Sequence, residues 1–111
     1  MFHVISREDQ NQFPNRTILL EGGNFGAPVS VFLIDSEPGQ GPALHTHPYT
    51  EMWIVRSGQA RFTVGNETLD PNPGDIVVVN AETPHRFKNI GTTRLELTCI
   101  HASPEVIQTW V

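Results

Sequence analysis

Hydrophobic and polar residues alternate along this chain in short runs, each broken by glycine, proline or asparagine. The first dozen residues form a polar arm through Asn11-Gln12, with one apolar patch at Phe2, Val4 and Ile5. Thr17 to Leu20 reads as a strand, stopped by the turn signal Gly22-Gly23-Asn24. Val29 to Ile34 is apolar at nearly every position, the pattern of a strand packed on both faces. Ser36-Glu37-Pro38-Gly39 breaks the chain before Glu51 to Arg56, a strand on which Trp53 and Val55 share a face with Glu51. Ser57-Gly58 turns it into Gln59 to Val64, where Ala60, Phe62 and Val64 alternate with polar neighbours, as in a hairpin with one buried face.

The second half continues in the same style. Gly65-Asn66 is a turn and Leu69 to Gly74 a rigid, proline-rich loop. Ile76 to Val79 is a β-branched run whose continuous apolar character predicts burial on both sides. His85 and Phe87 share a face of the next strand, and Asn89-Ile90-Gly91 turns it into Thr93 to His101. Leu95, Leu97 and Cys99 form the inner face there; His101 shares their parity, which allows an approach to the cavity, with a rim or capping role favoured. Ser103-Pro104-Glu105 carries a capping serine, a proline at the first helical position and an acid in the first turn, and predicts a helix start. Val106, Ile107, Trp110 and Val111 would share its stripe. So short a helix must dock on the barrel or on a partner. About nine short strands, no long helix and no internal repeat predict an all-β sandwich or barrel. With 111 residues the chain is read as one domain. Its parts are an N-terminal arm at 1–12, a barrel at 13–102 and a docking segment at 103–111.

Composition removes several function classes. The formal charge is −5 and the seven basic residues are scattered, so the chain lacks the clustered cations of a nucleic-acid partner. Nothing resembles a targeting segment or the ~20 apolar residues of a membrane span, and the expectation is a cytoplasmic protein. The single cysteine, Cys99, excludes an internal disulfide. Between Thr98 and Ile100 it reads as a small buried hydrophobe. No phosphate-binding loop, dinucleotide fingerprint or hydrolytic triad order is visible.

The chemistry collects between Gly39 and Gly58. On an extended segment, residues two apart point the same way and lie about 7 Å apart, so His45 and His47 converge on one ion. On a straight strand Glu51 would lie roughly 13 Å further along. Pro48 donates no ladder hydrogen bond and favours a bend, so a turn at Pro48-Tyr49 would bring Glu51 back to the same point. His85 stands in its own turn-then-strand context. Neutral imidazoles with one carboxylate suit Fe, Mn, Ni, Cu or Zn better than Ca or Mg.

These residues resemble the two motifs of the cupin family. Gly39, His45, His47, Glu51 and Gly58 occupy every fixed position of the first motif. Gly74, His85 and Asn89 match the second, while Asn80 stands where the family has proline and Glu82 where it has glycine. Both departures fall in the turn ahead of His85. The resemblance implies a single-domain cupin, a jelly-roll (double-stranded β-helix) barrel, with one divalent transition metal on His45, His47, Glu51 and His85. It does not single out a reaction, because the family includes dioxygenases, isomerases, lyases, decarboxylases and binding proteins.

An octahedral ion on four ligands keeps about two positions open for a small organic molecule. Trp53, Val55, Phe62 and Phe87 are the expected walls, Glu51 is the principal candidate for catalysis, and Tyr49 and His101 are the candidate acids or bases. The reading that follows is a dioxygenase-type oxidoreductase, with non-redox isomerase or lyase chemistry, or binding alone, as alternatives. The apolar arm, the two-sided strand at Val29 to Ile34 and the C-terminal Ile107, Trp110 and Val111 point to a homodimer.

Overall fold

The computed structural model describes all 111 residues and is built from two antiparallel sheets. Eleven strands appear in chain order: β1 (Asn11–Gln12), β2 (Ile18–Glu21), β3 (Ser30–Ser36), β4 (His45–Thr46), β5 (Glu51–Ser57), β6 (Ala60–Val64), β7 (Glu67–Leu69), β8 (Ile76–Val79), β9 (His85–Asn89), β10 (Leu95–His101) and β11 (Thr109–Trp110). One sheet runs β1-β2-β3-β10-β5-β8, the other β11-β4-β9-β6-β7. Helix is limited to single 3-10 turns at Arg7–Asp9 and Gly22–Phe25, and no helix is long and apolar enough to cross a membrane.

The core follows from strand parity. Trp53 and Val55 on β5, Leu97 and Cys99 on β10, and Phe62 and Phe87 on β6 and β9 point between the sheets and pack as one cluster. Register locks this arrangement: Trp53 lies opposite Cys99, Val55 opposite Leu97, and Phe62 opposite Phe87. A slip of one residue would turn each of these side chains to water.

Several sequence expectations change on the structure. The run Ile76–Val79 is not buried on both sides: Val79 faces inward, but Ile76 is 60% and Val78 52% exposed. Strand β8 is the end strand of its sheet, and no second layer covers that outer face. The C-terminal helix does not form. Ser103 Oγ does accept the Glu105 N–H at 3.3 Å, as a cap would. Beyond it the chain bends and extends so that β11 can pair with β4, and ladder bonds replace a helix too short to sustain itself. The arm ends in β1, which pairs with β2, and Glu67–Leu69 forms an unforeseen hairpin partner for β6.

Candidate metal centre

The site sits at one end of the barrel, where both sheets contribute. His45 on β4 lies directly opposite His85, the first residue of β9. In the other sheet Glu51, the first residue of β5, lies directly opposite His101, the last residue of β10. His47 stands between β4 and the bends at Pro48 and Tyr49 that return the chain to Glu51. The bend expected at Pro48 therefore forms. One ligand atom from each of His45, His47, Glu51 and His85 lies within 4.8 Å of all the others, and all four residues are buried.

The turn ahead of His85 explains the motif's departures. Glu82 occupies the left-handed region with φ 65°, the conformation for which glycine is suited. Its backbone N–H bonds the His47 carbonyl at 2.8 Å, tying this turn to the ligand loop. The turn geometry is thus retained, and Glu82 adopts it at a strain cost. Asn89 closes the other end of β9 through Nδ2, which donates to the carbonyls of Ser36 and Thr93.

Hydrogen bonding fixes which imidazole nitrogen faces inward. His45 Nδ1 is 2.7 Å from the Ala43 carbonyl, His47 Nδ1 2.7 Å from that of Ile107, and His85 Nδ1 2.8 Å from that of Thr83. A carbonyl only accepts, so each Nδ1 carries hydrogen and each neutral ring presents its Nε2 lone pair. Those Nε2 atoms converge on a carboxylate: His85 Nε2 is 3.0 Å and His47 Nε2 3.2 Å from Glu51 Oε1. The His47 Nε2 is buried and has no hydrogen bond of acceptable geometry despite that proximity. Lone pairs aimed at an anionic oxygen repel unless a positive charge lies among them, and a divalent ion satisfies all four groups together. The residues fit a single divalent metal.

Electrostatics agree with that fit. Burial holds the His45 imidazole below its usual value, so it is neutral at neutral pH. Burial raises the Glu51 carboxyl, but N–H donation from His101, His47 and His85, which the two ligand rings make only when protonated in place of binding a metal, outweighs it and holds the group far below the carboxylate range. Glu51 is anionic although only 3% exposed. Burial pushes the Tyr49 phenol up to about 12 and also raises the Cys99 thiol.

A cavity of about 480 Å³ opens on the site, with His45, Glu51 and His101 among its lining residues. Trp53 and Phe87 line it, joined by Phe32 and Ile34 from β3. Val55 and Phe62, expected as walls, do not; they are fully enclosed in the core behind Trp53. Parity gave them the correct face, but Val55 lies one pleat, about 7 Å, beyond Trp53. Phe62, level with Phe87 in register, packs against the Trp53 ring with centroids 4.3 Å apart. Tyr49 does not line the cavity either. Its ring stacks on His47, with centroids 5.0 Å apart, and its hydroxyl meets His101 Nδ1 at 2.6 Å. His101, expected at the rim, is instead buried beside Glu51, because it ends β10 on the same face as Leu95, Leu97 and Cys99.

A two-sheet barrel enclosing three imidazoles and a carboxylate defines a metal-binding jelly roll. The chain belongs to the cupin family: the cupin-domain model matches residues 32–101. An uncharacterized protein of Streptomyces coelicolor is 32% identical over 77 residues, 69% of this chain and 72% of that protein. One of Methanocaldococcus jannaschii is 32% identical over 68 residues, 60% of this chain and 54% of that protein. Among solved structures, Bacillus subtilis oxalate decarboxylase, in work on its Mn(II) centres, matches with TM-score 0.78 and 26% identity over 86% of this chain. The chain spans 28% of that enzyme. Lactobacillus farciminis oxalate decarboxylase, in a formate complex, matches with TM-score 0.78 over 92% of this chain and 33% of its own. At 22% identity this second likeness is one of fold.

Proposed function

We propose that the chain is a metal-dependent oxygenase acting on a small, largely apolar organic molecule that carries at most one negative charge. The observation that carries this reading is the cavity. It ends on His45 and Glu51, its walls include Phe32, Ile34, Trp53 and Phe87, and neither lysine nor arginine lines it. Three neutral imidazoles and one carboxylate leave a divalent ion with net charge near +1, matched to one anionic donor atom. A redox-active ion held there would supply activation of O2. The protein's own part is to exclude water with its aromatic and aliphatic walls and to orient the substrate against the ligand cluster. Trp53 and Phe87 are the wall residues of this proposal, and Glu51 sets the charge of the site.

A second reading, non-redox decarboxylation, draws support from the likeness to the Bacillus enzyme. A dicarboxylate would bring two negative charges to a site that offers about one positive charge and no cationic side chain in the cavity, which favours the first reading. Oxygen consumption by the iron-loaded protein, against small phenols, diketones and thiols, tests the choice. Substrate-dependent uptake is expected. Turnover unchanged under strict anaerobiosis, or with zinc as the only metal, overturns the oxygenase reading and promotes non-redox chemistry.

The sheet's outer face supports a homodimer. Leu33, Met52, Ile76 and Val78 are exposed there, with Val31 and Ile100 between them in register. An exposed apolar patch of this kind suits a second copy of the same chain.

A further inference from the structure

We propose that His101, held by Tyr49, is a positioning residue that reserves one oxygen of Glu51 and leaves the other to the metal. The inference rests on the four-residue cluster and is independent of the reaction assigned to it.

The two oxygens of Glu51 have different surroundings. Oε1 faces the ligand histidines, at 3.0 Å from His85 Nε2 and 3.2 Å from His47 Nε2. Oε2 faces His101 Nε2 at 3.2 Å. His101 differs from the three ligand histidines in what holds its other nitrogen: they lean on backbone carbonyls, whereas His101 Nδ1 meets the Tyr49 hydroxyl at 2.6 Å. The Ile107 N–H reaches the same hydroxyl oxygen at 3.3 Å.

These contacts set a direction. If the phenol accepted from Nδ1, a neutral His101 would turn a bare Nε2 lone pair on the anionic Oε2, which repels. The favourable assignment runs one way: the Ile107 N–H donates to the Tyr49 oxygen, the Tyr49 O–H donates to His101 Nδ1, and the His101 Nε2–H donates to Glu51 Oε2. His101 is 2% exposed, so little water competes for that donor. A donor to a buried carboxylate makes a charge-assisted bond, stronger than a neutral one. With Oε2 engaged, Glu51 serves the ion through Oε1 alone, and a coordination position that a chelating carboxylate would fill stays free for substrate. His101 also lines the cavity beside Glu51.

The test uses Mn(II) as the probe, with affinity from chelator competition and ligand symmetry from the electron paramagnetic resonance spectrum of the bound ion. His101→Leu removes the donor, while His101→Gln restores an N–H at the end of a side chain of similar reach. The expected result is about 10–100-fold weaker binding and an altered spectrum for His101→Leu, with most of the affinity recovered in His101→Gln. Wild-type affinity and spectrum in His101→Leu, or no recovery in His101→Gln, overturns the proposal. If His101→Leu fails to fold, Tyr49→Phe decides: loosening His101 should weaken binding several-fold and shift the spectrum, and an unaltered protein overturns the proposal. Failure of the oxygenase reading would appear as absent oxygen uptake and would leave these readouts untouched.

Discussion

At the residue scale, Glu51 is the one charged group of the cluster, and its environment sets how the metal-free protein responds to acid. Its folded-state affinity for a proton lies far below the usual 4.5, so the stability it contributes is present above that pH and is lost as pH falls. His45 acts in the same direction: the fold favours its neutral form, and the unfolded chain takes up the proton first as pH drops through 6.5. The urea midpoint of the metal-free protein is expected to decline below about pH 6.5 and more steeply below about pH 4.5, with Glu51→Gln losing the steeper part. A midpoint constant from pH 7 to pH 4 would contradict this. Glu82 supplies a second residue-level expectation. Its left-handed φ of 65° carries strain that glycine lacks, so Glu82→Gly should stabilise by about 0.5–1 kcal/mol, read from denaturant unfolding. Destabilisation would mean that the side chain makes a contact worth more than the strain. The ligands were legible in the sequence because His45, His47 and Glu51 sit at fixed spacings around a proline bend and His85 follows a turn of its own at the start of a strand. His101 was placed at the rim because its partner, Glu51, is fifty residues away in the chain and meets it only through strand register. Its shared parity with Cys99 carried the alternative, an approach to the cavity, which is the one the structure adopts.

At the scale of elements, turns hold the ligand strands in place. Gly58 ends β5 with φ 89°, and a Cβ there would lie 2.5 Å from the Arg94 carbonyl oxygen at the start of β10. Gly58→Ala combines backbone strain with that overlap, and a loss of more than about 2 kcal/mol is expected from urea unfolding. A variant as stable as the wild type would show that the turn can rearrange freely. Periodicity located the main strands of both sheets because each buries one face, and alternation is a direct record of that. It failed at Ile76–Val79, where an apolar run signifies burial only if a second layer covers the sheet. It failed again at Ser103 to Val111, where local helix signals are outweighed by pairing of β11 with β4. That pairing matters to the site, because Ile107 between the bends and β11 supplies the carbonyl that orients His47.

At the scale of the molecule, the uncovered outer face and the ligand cluster are separate features of one barrel. Light scattering at micromolar concentration is expected to give a dimer mass, and a double variant Met52→Lys, Ile76→Lys a monomer, since buried like charges oppose pairing. A wild-type monomer would remove the homodimer. The central claim is that the four buried side chains hold a single divalent ion. The most direct measurement is the metal-to-protein ratio by elemental mass spectrometry after reconstitution with Mn(II) and removal of free ion, on the wild type and His85→Ala in parallel. The expected result is about one ion per folded wild-type chain and close to none in the variant. A ratio near zero in the wild type, or equal ratios in both proteins, would contradict the assignment of the site.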